Sequence, residues 1–162
     1  MAARSGVAED TPNAHLRSVI ERFDAKDQKL IRAVRSAVRK RLPTANELVY
    51  DFRTFFVIAY SPSDRRIEFI VSLDVRYDGV RMYFSRGHRL PDPKGVLQGS
   101  GTQARFIRVE AASRLAHPEV EALIASAIKK AFVPLPASGR GSLMIRSAGR
   151  HAAGGSNAGE VR

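Results

Sequence analysis

The chain contains no cysteine. That excludes disulfides, thiolate catalysis and thiolate metal sites. It is also short of acid: 16 Asp and Glu stand against 27 Lys and Arg, for a formal net charge of +11. A surface poor in carboxylates is unsuited to carrying hard cations. It attracts polyanions instead, whether nucleic acid, anionic lipid or phosphorylated ligands. Long apolar runs are missing too. The longest, Phe55 to Tyr60, is far too short to cross a bilayer. Met1 to Asp10 has no apolar stretch, so a signal peptide is not expected there. A cytoplasmic protein is the resulting expectation. No internal repeat, zinc-finger spacing, helix-turn-helix or RNA-type aromatic platform stands out.

What remains fits one domain of 162 residues, with an ordinary hydrophobic share of 44%. The expected organisation is a flexible leader over 1–10, one domain over 11–133, and a disordered basic tail over 134–162. That tail is rich in Ala, Gly, Ser and Arg and has few large apolar residues to order it. Leu143-Met144-Ile145 is read as a chance cluster within it, with a short docking segment as the alternative, so deleting Ser138 to Arg162 is expected to leave the melting temperature nearly unchanged.

Thr11-Pro12 starts a first helix, with Leu16, Val19, Ile20 and Phe23 at helical spacing. Asp24 caps a second, whose apolar stripe is Leu30, Ile31, Val34, Ala37, Val38 and Leu42; Pro43 ends it. Leu48 to Phe52 and Phe55 to Tyr60 read as strands. Ile67, Phe69, Val71 and Leu73 alternate as the inner face of another, and Asp78-Gly79 signals a hairpin into Val80 to Phe84. Arg105 to Glu110 is the last expected strand. Pro118 opens a final helix, and His117 before it reads as a helper of its cap. The fold class is therefore α+β: an antiparallel sheet covered on one face by the N- and C-terminal helices.

Several segments carry a family resemblance: Glu47-Leu48-Val49-Tyr50, Ile58-Ala59-Tyr60-Ser61-Pro62-Ser63, Val80-Arg81-Met82-Tyr83-Phe84, Leu90-Pro91-Asp92-Pro93 and Gly99-Ser100-Gly101-Thr102-Gln103-Ala104-Arg105. Over roughly Ala14 to Phe132 the chain resembles the YdhG-like domain of bacterial proteins of unknown function. The family often has Lys where this chain has Thr102. The resemblance implies a frataxin-like fold, and with it an alternative role in iron handling. Frataxin-like iron carriage goes with an acidic helix. Here Ala14 to Leu42 holds nine Lys and Arg against three Asp and Glu.

Two places are candidates for binding. The first is the long loop before the last strand, where Gly99, Ser100 and Gly101 offer backbone N–H groups to an anion. Arg89, Lys94, Gln103 and Arg105 supply polar and charged partners there. Its alternative is a packed turn with Arg105 bonded to loop carbonyls. The second is the basic face of the second helix: Lys29, Arg32, Arg35, Arg39 and Lys40. Its alternative is a solvated face kept for solubility. The expected function is a non-catalytic module for a phosphorylated small molecule or polyanion. No cofactor and no metal is expected, and the four histidines show no ligand spacing. His88 with Asp92 is the one acid/base pair the sequence offers. Asp51, Glu68 and Asp74 are expected to pair with Arg53, Arg66 and Arg76.

Overall fold

The computed structural model describes residues 11–147; the expected leader and positions 148–162 of the expected tail lie outside the described residues. The first helix, α1 (Pro12–Ile20), begins as its residues require. Thr11 is extended and accepts the Ala14 N–H at 3.1 Å, and Pro12 takes the first helical position. In α2 (Ala25–Arg41) Asp24 accepts the Asp27 N–H at 2.8 Å. The last helix, α3 (Pro118–Lys129), differs from expectation at its start. His117 occupies the cap position but makes no capping bond, because its ring is turned toward Arg114 at 3.0 Å. Glu119 and Glu121 in the first turn complement the helix dipole instead.

Among the described residues six strands follow the expected order with two corrections: β1 (Asn46–Asp51), β2 (Phe56–Ser61), β3 (Val71–Arg76), β4 (Gly79–Phe84), β5 (Arg105–Arg108) and β6 (Leu143–Arg146). The sheet runs β5-β4-β3-β2-β1-β6. The first five strands pair antiparallel, and Asp78-Gly79 turns β3 into β4 with Gly79 at φ +136°. The class is α+β, with a mixed sheet.

The first correction concerns Ile67. It lies in a 3₁₀ turn over Arg66–Glu68 and is 75% exposed, so β3 starts only at Val71. Local polar bonds decide this. The Ser61 hydroxyl donates to the Arg65 carbonyl at 2.9 Å, and the Ser63 hydroxyl donates to Glu68 at 2.6 Å. They wind 61–68 into a compact turn that interrupts the alternation.

The second concerns the tail. Leu143–Arg146 is not structureless: it pairs parallel with β1, Leu143 opposite Glu47 and Ile145 opposite Val49. Without β6, β1 would be a bare sheet edge. The approach is anchored before the strand begins. The Glu47 N–H donates to the Ser142 carbonyl at 2.9 Å, and the Ser142 N–H donates to Asn46 Oδ1 at 2.8 Å. Gly141 passes so close that a Cβ there would overlap the Ala45 carbonyl.

The three helices of the described residues cover one sheet face. Leu16, Ile31, Val34 and Leu123 pack there against Val49, Ile58, Leu73 and Met82. On the opposite face Leu48, Tyr50, Val57, Ala59 and Phe69 form a smaller cluster. Arginines help roof it: Arg76 lies 3.8 Å over the Phe55 ring and Arg66 lies 4.9 Å over Tyr50. β2 is therefore buried on both faces, as its unbroken apolar run implies.

Candidate functional site

Between α1, α2 and the segment leading into β6 lies a groove of about 790 Å³. The 3.6-residue period of α2 turns Arg32, Arg35, Ser36, Arg39 and Lys40 to one side, into the groove wall. Arg17 of α1 and Arg140 before β6 join them. Among the described residues, six cations thus line one concavity, and no carboxylate lines it with them.

A single carboxylate lies beneath that wall. Glu47 is 4% exposed and sits on the helix-covered side of β1, two residues before the core residue Val49. Arg35 holds it with two bonds, Nε to Oε2 at 2.9 Å and Nη2 to Oε1 at 2.8 Å. The Tyr60 hydroxyl, placed directly opposite by the β1–β2 register, donates to Oε2 at 2.9 Å. Arg39 lies 3.6 Å from the same carboxylate. The Glu47 contact holds the Arg35 guanidinium above its usual pKa, against the opposing effect of burial. Burial, followed by the neighbouring negative charge, pushes the Tyr60 phenol well above its usual range. The hydroxyl therefore stays a donor.

The outer cations are differently placed. Arg32 reaches Gln28 Oε1 at 3.1 Å, a neutral partner. Among the described residues Arg17, Lys40 and Arg140 have no carboxylate within ion-pair distance. Four of the five α2 residues named from the sequence line this groove; Lys29 is exposed outside it. Sequence reasoning missed Arg17, Arg140 and Glu47. The signal for Glu47 was present: it falls on the same side of β1 as Val49, so a charge on that face needed a partner.

The glycine loop is arranged otherwise. Arg105 donates from one guanidinium nitrogen to the carbonyls of Gly101 at 2.7 Å and Ala104 at 2.8 Å. The positive φ falls on Gly99, at +113°, and not on Gly101. Ser100 and Lys94 are exposed. Arg89 and Gln103 line a different pocket, between the end of β4 and the end of α3. The loop named from the sequence is thus split between a carbonyl-tied turn and a second pocket.

The expected acid/base pair is taken apart as well. The His88 ring faces the Gln103 carbonyl at 3.0 Å, and Asp92 accepts the N–H groups of Val96 and Leu97. Asp74 pairs with Arg76 as expected. Asp51 pairs instead with Arg22, through bonds of 2.6 and 2.8 Å, and takes only the backbone N–H of Arg53. Glu68 pairs with Arg65. Among the described residues no group of three or more His, Asp or Glu side chains gathers in a metal-holding cluster. No helix among them is long and apolar enough to cross a membrane. No family model, no curated protein and no solved structure matches the chain.

Proposed function

We propose that this chain is a cytoplasmic, non-catalytic binding module whose ligand, a phosphorylated molecule or polyanion, sits in the groove between α1 and α2. One observation carries the reading: six cations line a single concavity, and the one buried carboxylate beneath it pairs with only two of them. A face kept only for solubility has no need to be concave or to draw charge from three separate segments. Arginine dominates it, and its planar fork suits phosphate oxygens. The proposal keeps the YdhG-like, frataxin-like resemblance for the fold and takes no ligand from it. An iron-handling role is opposed by the same charge, since a metal cation entering the groove is repelled.

The test is fluorescence anisotropy of a labelled oligothymidylate across a salt series, with inorganic pyrophosphate as competitor. Binding is expected to weaken linearly in log affinity against log salt. Lys40→Gln and Arg140→Gln should each flatten that slope by about one. Absence of binding at low salt, or identical slopes in wild type and both variants, overturns the proposal.

A further inference from the structure

The second pocket, about 680 Å³, shares no lining residue with the basic groove. Its base is apolar, with Phe69, Ile70 and Leu90 among the lining residues. Two features set it apart. Only three large hydrophobic side chains are strongly exposed among the described residues: Ile67 at 75%, Tyr77 at 59% and Phe132 at 81%. Two of them, Ile67 and Phe132, line this one pocket. Leaving each in water forgoes the gain that burial would bring, so their convergence on one concavity marks a place where something apolar is covered. The second feature is charge. Arg86, Arg89 and Lys130 line the same pocket. Arg86 lies 5.2 Å over the Phe132 ring, and Lys130 Nζ donates to the Arg89 carbonyl at 3.4 Å. Among the described residues neither arginine has a carboxylate partner. Glu68, which also lines the pocket, is already engaged by Ser63 and Arg65.

We infer that this pocket binds a small amphipathic anion: an apolar chain or ring lying between Ile67 and Phe132, with a carboxylate or phosphate head on Arg86 and Arg89. The volume lies in the range of small-molecule sites, whose walls are mostly apolar with a few polar groups that orient the ligand. A purely apolar ligand leaves two guanidinium groups unused, and a purely polar one leaves Ile67 and Phe132 in water. Only a molecule with both parts uses both features.

Isothermal titration calorimetry on the full chain with octanoate, octyl phosphate, 1-octanol and acetate tests this. Saturable one-to-one binding of octanoate or octyl phosphate is expected, and which binds tighter identifies the head group. Acetate and 1-octanol should bind at least about tenfold more weakly, since each lacks one half of the recognition. Ile67→Ser with Phe132→Ser should weaken octanoate binding about tenfold. Arg86→Gln with Arg89→Gln should weaken it similarly and abolish the preference for octanoate over 1-octanol. All four side chains are at the surface or on its rim, so the variants are expected to fold. Lys40→Gln, in the other groove, should leave octanoate binding unchanged. No saturable binding of either anion, or binding that the pocket variants leave intact, overturns the inference.

Discussion

Replacing Gly141 by alanine changes one methyl group and no charge, yet the structure makes it a severe test. A Cβ at this position overlaps the Ala45 carbonyl, a backbone group that cannot swing aside. The strand that follows has to move, and with it Leu143, Met144 and Ile145, all half-buried. Full burial of such a side chain is worth about 1.5–3 kcal/mol, so half-burial contributes about 1 kcal/mol each and about 3 kcal/mol together. Entropy regained by the freed strand offsets part of this, leaving an expected loss of about 2 kcal/mol. At this chain length that lowers the melting temperature by about 4–8 °C, read by circular dichroism. Arg140 is adjacent, so the groove should lose one wall. Oligonucleotide affinity is expected to fall about threefold to tenfold with net charge unchanged. Gly101→Ala is the control: its nearest neighbour would lie at an ordinary 3.8 Å and its φ is not positive, so neither quantity should move. A melting temperature within about 1 °C of wild type would refute the docking of β6. A lowered melting temperature with intact affinity would refute the role of Arg140.

Arg105→Gln should lower stability by about 1–2 kcal/mol, because two loop carbonyls lose a charged donor, and should leave oligonucleotide affinity alone; reduced affinity at unchanged stability would return the loop to the binding site. The Arg22–Asp51 pair makes a pH prediction. Hydrogen bonding from Arg22 holds the Asp51 carboxyl below its usual value near 3.8, so the pair stabilises the fold above that pH and ceases to as the pH falls through the lowered value. Arg22→Gln should cost about 0.5–1 kcal/mol at neutral pH, discounted for the exposure of Arg22, and the difference from wild type should shrink in urea melts run progressively below about pH 4. A difference that stays constant with pH would remove Asp51 as the partner.

Local signals explain what was legible. The caps at Thr11 and Asp24, the Asp78-Gly79 turn and the stripe of α2 all act within a few residues, and each produces the element it implies. Ile67 failed because its alternation with Phe69 is indistinguishable in sequence from a strand, whereas Ser61 and Ser63 outside that window close the turn. β6 failed for a different reason. Four residues in a polar, glycine-rich tail have no pattern of their own, and their order comes from an edge strand almost a hundred positions earlier. The same distance hid the groove. The basic face of α2 was readable, but its concavity depends on Arg17 and Arg140 arriving from elsewhere.

Glu47 explains how so dense a cluster of cations can fold and still present charge. A buried carboxylate is costly unless it is paired and its lone pairs are satisfied. The antiparallel register meets that requirement from within the sheet by placing the Tyr60 hydroxyl opposite. Burial keeps that phenol protonated, so the carboxylate never faces a phenolate. Arg35 supplies the remaining contacts in a two-bond fork, and Arg39 stands at the edge of the pair. The inner part of the cluster is thereby neutralised and fixed in direction. One carboxylate cannot do the same for six cations. Among the described residues, Arg17, Arg32, Lys40 and Arg140 remain on the groove wall with no carboxylate partner. β1 thus determines which charges of α2 hold the structure together and which remain for an anion.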